Sequence, residues 1–118
     1  MKKAKIAGIG FNVPDNVVTN HDLEKMMDTT DEWIRTRSGI EERRWVKPGT
    51  ANSDLAIPAC KRAIKNAKIN PDEIDAIIVG TVSSDFNFPG MAPIIQQKLG
   101  ISRLSLIHIS EPTRLRRI

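Results

Sequence analysis

Cysteine and aromatic residues are scarce in this sequence of 118 residues. A single cysteine, Cys60, excludes an intrachain disulfide framework and fits a reducing, cytoplasmic location. Aromatic residues make up 4% of the chain, so a core must be built mainly from Ile, Leu, Val and Ala. No apolar run approaches the roughly 18 residues of a membrane span, and no signal-peptide pattern is present. These absences favour a globular chain of at most one domain and no membrane partner.

The net charge of +4 is concentrated near the C-terminus. Residues 104–118 contain three arginines and one glutamate, which together supply half of the positive excess. Elsewhere acidic and basic residues are interspersed and form no basic stripe of the kind that binds nucleic acid. We therefore expect no nucleic-acid partner.

The segment LSLIHISEPTR, residues 104–114, differs in character from the sequence before it. It resembles the in-frame translation of a transposase adapter used in sequencing-library preparation. A native C-terminal strand is the alternative, because LSLIHIS alternates polar and apolar residues. We predict that residues 1–103 are the native part and that residues 104–118 are a non-native tail, which we exclude from functional reasoning.

Two strands are predicted, one before and one after the longest helical segment. Residues 5–11 form the first, and its Gly8-x-Gly10 is no dinucleotide fingerprint because Pro14 stands where a helix would have to begin. The two glycines instead indicate close approach of backbones within a sheet. Residues 75–82 contain an apolar run of the kind that is covered on both faces of a sheet.

Four helices are predicted from apolar periodicity and capping residues. Their starts are the capping boxes Thr19-x-x-Asp22 and Thr29-x-x-Glu32, then Asn52 and Gly90. Gly39 is predicted to end the second helix, and Pro58 predicts a kink or a later start in the third, because an interior proline costs about 3 kcal/mol. Helices that alternate with strands indicate a layered α/β fold with a sheet that is at least partly parallel.

Trp33 and Arg37 lie four residues apart and therefore share one face of the second helix. An indole beside a guanidinium suits a ligand with an aromatic base and phosphates, because stacking contributes about 1–3 kcal/mol per base and the guanidinium pairs with phosphate oxygens. Thr29 adds a hydroxyl and backbone donors at the helix N-terminus. Spacing alone favours the structural alternative, a tryptophan packed on the core and covered by the arginine.

The block TNHDLEKMMDTTDEWIRTRSGIEERR, residues 19–44, resembles the N-terminal signature of β-ketoacyl-acyl-carrier-protein synthase III. The block DAIIVGTVSSDFNFPGMAPIIQQKLGI, residues 75–101, resembles the next strand, loop and helix of that family. The resemblance extends from Lys3 to about Ile101. It implies the N-terminal part of a thiolase-like αβαβα layered fold, which the family assembles as a homodimer.

The resemblance also implies an activity. Enzymes of this family initiate type II fatty-acid synthesis by moving an acyl group from coenzyme A to a cysteine and condensing it with malonyl-acyl carrier protein after decarboxylation. Acyl-CoA is thus a substrate, and no separate cofactor or metal is implied.

The resemblance assigns roles to individual residues. Trp33 matches the tryptophan that stacks on adenine, and Arg37 and Thr29 match contacts with the nucleotide portion of the coenzyme. Ser38 stands where threonine is usual and keeps the hydroxyl. Phe88 matches an aromatic that crosses the dimer interface to line the partner's acyl pocket; a loop aromatic that covers a sheet end is the alternative.

No catalytic residue is assigned to this chain. The family's nucleophilic cysteine stands in an Ala-rich Cys-Ala-Gly context that this sequence does not contain, and its catalytic histidine and asparagine belong to the C-terminal half. Cys60 lies on an apolar helix face, where a thiol is buried and inert. We therefore expect an N-terminal piece that is inactive alone. The alternatives are a fragment of a sibling condensing enzyme with another starter or acceptor, and a stand-alone coenzyme-A binding module.

Overall fold

The computed structural model describes residues 3–102 and the strand at Ser105–Ile109. The chain divides into two compact units, a small unit of Val13–Thr50 and a large unit that combines Met1–Asn12 with Ala51–Ile118. Across the described residues, the helices are too short or too polar to span a bilayer. Residues 104 and 110–118 of the predicted tail lie outside the described part of the chain.

The small unit is a two-stranded antiparallel sheet with two helices between its strands. Its elements are strand β1 (Asn16–Thr19), helix α1 (Asn20–Glu24), helix α2 (Asp31–Ser38) and strand β2 (Glu42–Trp45). In the sheet Thr19 lies opposite Glu42, and the next backbone hydrogen bond runs from Asn20 to Glu41 over 3.2 Å. The sheet therefore brings the start of α1 next to the turn that follows α2.

Capping residues determine where the two helices of the small unit begin and end. The predicted box at Thr19 is confirmed: the Thr19 hydroxyl accepts the Asp22 N–H at 3.2 Å, and the Asp22 carboxylate accepts the Thr19 N–H at 3.1 Å. The box predicted at Thr29 is wrong by one residue, because Thr30 is the N-cap of α2 and accepts the N–H three residues later. Gly39 ends α2 with a left-handed φ of 70°, as predicted.

The large unit combines two longer helices with a parallel strand pair. Its elements are helix α3 (Asn52–Ala67), a 3₁₀ turn (Pro71–Glu73), strand β3 (Ala76–Gly80), helix α4 (Met91–Leu99) and strand β4 (Ser105–Ile109). Strands β3 and β4 run parallel, with Ala76 opposite Ser105. The backbone at Ser105–Ile109, inside the predicted tail, thus forms the strand that its alternating pattern favours. A parallel strand pair is present, but it joins β3 to a segment of the predicted tail and not to the strand predicted at residues 5–11.

Helix α3 runs uninterrupted through Pro58, so the later start considered for it is wrong. The neighbouring Ile57 is 8% exposed, and the core of the unit is completed by apolar residues from α4 and beyond: Met91, Ala92, Ile95 and Ile101. Burying one such side chain contributes about 1.5–3 kcal/mol, which is comparable to the cost of an interior proline. Packing against α4 therefore offsets the proline.

The N-terminus of α3 is capped by a residue from a distant part of the chain. Ala51, at the N-cap position, has no side-chain acceptor. The Asp85 carboxylate instead accepts the Asn52 N–H at 2.7 Å and the Ser53 N–H at 3.1 Å. The Asn52 amide in turn donates to the Ser83 carbonyl at 2.9 Å. The loop between β3 and α4 is thereby fastened to the start of α3.

Residues 5–11 form no strand, and the prediction of one is wrong. The Arg62 guanidinium donates to the Phe11 carbonyl at 2.6 Å, and the Asn66 amide donates to the Ile9 carbonyl at 2.8 Å. Both donors lie on α3. Backbone carbonyls that a strand would offer to a neighbouring strand therefore find side-chain partners on a helix.

Gly8 and Gly10 allow this segment to lie directly against α3. A Cβ at Gly8 would lie 2.5 Å from the Ala63 carbonyl oxygen, and a Cβ at Gly10 would collide with the Ala59 carbonyl oxygen. Close backbone approach is therefore confirmed, but the neighbour is a helix and not a sheet. The alanines that line this part of α3 leave room for it.

Strand β3 is not covered on both faces, and that prediction is wrong. Ile78 is 63% exposed, whereas Ile77 and Val79 on the other face are half-buried. Within the described residues, β3 therefore has the one-sided burial typical of a sheet with a single packed face.

Replacing Gly10 by alanine is expected to lower the free energy of unfolding by about 2 kcal/mol, because the new methyl group must push the segment away from the α3 backbone. Urea denaturation measures this loss. Gly80→Ala is the matched control, since a Cβ at Gly80 meets no atom within 4 Å. Equal stability of the two variants would contradict the close approach.

Replacing Asp85 by alanine is expected to lower the free energy of unfolding by about 1 kcal/mol at neutral pH, because the first N–H groups of α3 lose their acceptor. Partial burial alone would raise the pKa of Asp85, but hydrogen bonds from Ser53 and Asn52 outweigh it and lower that pKa. A carboxylate whose folded pKa is lowered stabilises the fold above its unfolded pKa and loses this contribution as the pH falls.

The difference between wild type and Asp85→Ala should accordingly shrink when urea denaturation is repeated at about pH 3. Asp75→Ala provides the control, because Asp75 is an exposed carboxylate next to β3. A difference that stays constant with pH would mean that the Asp85 carboxylate is not the capping group.

Candidate functional site

Asn20 is a buried amide at the centre of the small unit, with 1% of its surface exposed. Its side-chain nitrogen donates to the Asp31 carboxylate at 2.7 Å and to the Ile40 carbonyl at 2.8 Å. Its side-chain oxygen accepts from the Arg43 guanidinium at 2.7 Å. Because Asp31 begins α2 and Ile40 follows its C-terminal Gly39, one side chain fixes both ends of that helix.

Two backbone donors at the start of α2 are bonded to side chains of the protein itself. The Asp31 N–H donates to the Glu24 carboxylate at 2.7 Å, and the Trp33 N–H donates to the Thr30 hydroxyl at 3.2 Å. Asp31 and Glu32 add negative charge in the first turn. Two N–H groups at this helix end are therefore already bonded, and a phosphate would also meet the two carboxylates of the first turn. The donor role expected for this helix end remains a prediction.

Glu24, at the end of α1, forms hydrogen bonds with the Asp31 N–H at the start of α2 and with His21. The Asp31 N–H, followed by the hydrogen bond with His21, lowers the pKa of Glu24. In return the hydrogen bond with Glu24, 3.1 Å from Nδ1 to Oε2, raises the pKa of His21. The His21 side chain is 72% exposed, so this histidine lies at the solvated surface.

Trp33 and Arg37 form a stacked pair on the surface of α2. The indole is 56% exposed, and the Cζ atom of Arg37 lies 4.9 Å from the ring centroid, within cation–π distance. The structural alternative expected a tryptophan packed on the core and covered by the arginine. The arginine does cover the ring, but the tryptophan does not pack into the core. The pair therefore presents a half-exposed indole with a guanidinium stacked over it.

Two pockets adjoin Trp33. The first space, named here the Asp28 pocket, has a volume of about 240 Å³ and is lined by Asp28, Thr29, Thr30 and Trp33. The second, the Arg37 pocket, has a volume of about 370 Å³ and is lined by Thr30, Glu32, Trp33, Thr36 and Arg37. The predicted residues Thr29 and Arg37 thus line pockets that adjoin the exposed Trp33 ring.

The two arginines of α2 differ in what they contact. The Arg35 guanidinium lies 3.7 Å from the Asp31 carboxylate and 2.9 Å from the Glu41 carboxylate. Arg37 makes no ion pair within residues 3–102 and faces Trp33 instead. Arg37 is therefore the arginine of this helix that can pair with the phosphate of a ligand.

The Ser38 hydroxyl is engaged in local bonds at the end of α2. It donates to the Ile34 carbonyl at 2.7 Å and accepts the Ile40 N–H at 3.2 Å. Its single hydrogen is therefore already in use, and donation to a phosphate requires that the bond to Ile34 be given up. The contact predicted for Ser38 remains a prediction.

Phe88 and Cys60 belong to the large unit. Phe88 lies in the loop before α4, and its side chain is 90% exposed. Cys60 lies in α3, and partial burial raises the pKa of its thiol. A thiol with a raised pKa holds little thiolate at neutral pH, which is the property of a structural cysteine.

Sequence reasoning missed two residues of this region, Asn20 and Asp28. Asn20 follows a capping threonine, where the sequence offers no sign that its amide is buried and fully bonded. Asp28 directly precedes the predicted Thr29. Its position next to Thr29 is the sequence signal that could have identified it as a residue of this region.

A scan against protein-family models finds no match. Among curated proteins, β-ketoacyl-[acyl-carrier-protein] synthase III of Caldanaerobacter subterraneus is 50% identical over 107 residues, which cover 91% of this chain and 32% of that protein. The synthase III of Listeria monocytogenes is 57% identical over 97 residues, which cover 82% of this chain and 31% of that protein. The chain spans about a third of the length of the curated relatives that it matches.

Among solved structures, the crystal structure of 3-oxoacyl-[acyl-carrier-protein] synthase III from Aquifex aeolicus superposes with a TM-score of 0.82 at 43% identity. The match covers 90% of this chain and 34% of that one. The thiolase-like α/β fold predicted from the sequence is thereby confirmed.

Replacing Asn20 by alanine is expected to lower the free energy of unfolding by about 2–3 kcal/mol, because the charged side chains of Asp31 and Arg43 each lose a part-buried hydrogen bond with its amide. Urea denaturation followed by circular dichroism measures the loss. Asn16→Ala, at an exposed position of β1, is the matched control and should change stability little. A similar loss in both variants would remove Asn20 from its central role.

Proposed function

We propose, from its membership of the β-ketoacyl-[acyl-carrier-protein] synthase III family, that this chain supplies coenzyme-A recognition to a condensing acyltransferase of fatty-acid biosynthesis. In the proposed reaction an acyl group passes from acyl-CoA to a cysteine and is then joined to malonyl-acyl carrier protein, which loses carbon dioxide. Acyl-CoA enters as a substrate, and no separate cofactor is proposed.

The exposed Trp33–Arg37 pair is the observation that carries this proposal. An indole with 56% of its surface exposed loses contact with water when an adenine stacks on it, and such stacking contributes about 1–3 kcal/mol. Arg37 has no competing carboxylate within residues 3–102, so its guanidinium can pair with phosphate oxygens. The hydrogen bonds of Asn20 hold the helix ends in place, so the pair is arranged before the ligand arrives.

Thr29 and Ser38 have secondary roles in this proposal. Thr29 is half-buried and lines the Asp28 pocket, where its hydroxyl can contact the base or the ribose. Ser38 stabilises the C-terminal end of α2, next to Arg37, through hydrogen bonds with the Ile34 carbonyl and the Ile40 N–H. A direct contact of Ser38 with the coenzyme requires exchange of its bond to Ile34.

Phe88 is proposed to enter the acyl pocket of a partner subunit in a homodimer. A phenyl ring that is 90% exposed on a loop is a surface that a protein interface would cover. We place the catalytic cysteine, histidine and asparagine in the part of the relatives' length that this chain does not span. The assembled enzyme is proposed to act in the cytoplasm on malonyl-acyl carrier protein.

Trp33→Ala and Arg37→Ala are each expected to weaken the binding of coenzyme A by about tenfold, because one removes the stacking surface and the other a phosphate partner. Isothermal titration calorimetry measures the affinity. Arg35→Ala is the matched control: it removes a positive charge from the same helix, but one that is already paired with Asp31 and Glu41.

Unchanged affinity in Trp33→Ala would return the indole to a structural role. A loss in Arg35→Ala as large as that in Arg37→Ala would mean that the overall charge of α2, and not the stacked pair, attracts the coenzyme.

A further inference from the structure

The loop between β3 and α4 is bonded to the start of α3 by two groups of side-chain contacts. The Asp85 carboxylate accepts the Asn52 N–H at 2.7 Å and the Ser53 N–H at 3.1 Å. The Asn52 amide donates to the Thr81 hydroxyl and to the Ser83 carbonyl, each at 2.9 Å. The first half of the loop is therefore attached to the helix along its length and not only through its connection to β3.

Phe88 lies between this attachment and a second fixed point. Asp85 stands three residues before it, and Met91, which is 1% exposed and begins α4, stands three residues after it. Three residues span at most about 10 Å, so the two points together limit where the phenyl ring can go. Residues 87–89 are exposed, and the ring itself is 90% exposed. The loop thus holds an aromatic ring in solvent from both sides.

We infer that Asp85 is a positioning residue that attaches the loop to α3 so that Phe88 is presented to a partner subunit in one arrangement. This inference rests on the proposed contact of Phe88 with the acyl pocket of a partner and adds the group that prepares the loop for that contact. A segment that is ordered before association loses less entropy on binding than one that must be ordered by it. Hydrogen bonds from N–H groups to a carboxylate are stronger than those to neutral acceptors, which suits Asp85 to this role.

Two carboxylates serve the first turn of α3, and only one of them belongs to the loop. Asp54 lies in the helix itself, where it accepts the Ala51 N–H at 3.0 Å and lies 3.6 Å from the Lys98 ammonium group. Removal of Asp54 therefore weakens the start of the helix and leaves the bonds of Asp85 in place. Comparison of the two carboxylates separates capping of α3 from attachment of the loop.

Limited proteolysis of the full chain tests the inference, because a protease cuts a segment that opens locally. Chymotrypsin cleavage after Phe86, identified by mass spectrometry, reports opening of the loop under native conditions. Asp85→Ala is expected to raise the rate of this cleavage about tenfold, and Asn52→Ala should raise it severalfold because it removes the second attachment. Up to about 1 M urea the rate should change little, since local opening exposes little surface.

Asp54→Ala is the matched control and should change the rate of cleavage after Phe86 by less than about twofold. Equal acceleration in the Asp54 and Asp85 variants, or a rate that rises steeply with urea, would mean that the loop opens only when α3 unfolds and would overturn the inference. An Asp85→Ala chain that is cut at the wild-type rate would overturn it as well.

These outcomes are distinct from failure of the proposed function, which is decided by coenzyme-A calorimetry on Trp33→Ala and does not involve this loop. Unchanged affinity in Trp33→Ala would remove the proposed function, and with it the partner contact for which Phe88 is positioned, whatever the cleavage rates are. Rapid cleavage in Asp85→Ala together with weakened coenzyme binding in Trp33→Ala would support both.

Discussion

The buried amide of Asn20 is the interaction on which the candidate site depends. A helix of eight residues is too short to be stable by its own hydrogen bonds, so α2 must be held by its surroundings. Asn20 holds it at Asp31 and at Ile40, and Arg43 fastens the amide to β2. All three bonds use groups that would be costly to leave unpaired away from water. The exposed side chains of α2 therefore project from a helix that is fixed at both ends.

Local rules predicted most of the helical structure of this chain, and non-local contacts account for the errors. The start of α1 and the left-handed glycine after α2 follow from residues within one turn of each helix end. The strand predicted at residues 5–11 failed because a strand needs a neighbour, and here the Gly8–Gly10 segment lies on a helix. Strand β2 went unpredicted because its charged sequence, Glu42–Trp45, lacks the β-branched residues that usually mark strands.

The candidate site was predicted in part for similar reasons. The spacing of Trp33 and Arg37 places them on one helix face, and the structure adds that they stack and that the indole is exposed. The sequence could not distinguish Arg37 from Arg35, because the difference lies in the carboxylates that fold onto Arg35. The pocket beside the ring likewise depends on how the chain turns before Thr30. The sequence shows which side chains a helix carries. Whether such a side chain is free to bind a ligand depends on the residues that the fold brings next to it.

The cap that Asp85 supplies to α3 has a consequence for the order in which the large unit folds. The first turn of a helix is its least favourable part to form, and here its acceptor arrives from more than thirty residues away. The beginning of α3 can therefore become fully ordered only after the chain has closed a long loop, which is a slow event compared with helix growth. We therefore expect α3 to nucleate near its middle. Its first turn should become ordered later, together with the loop that carries Asp85.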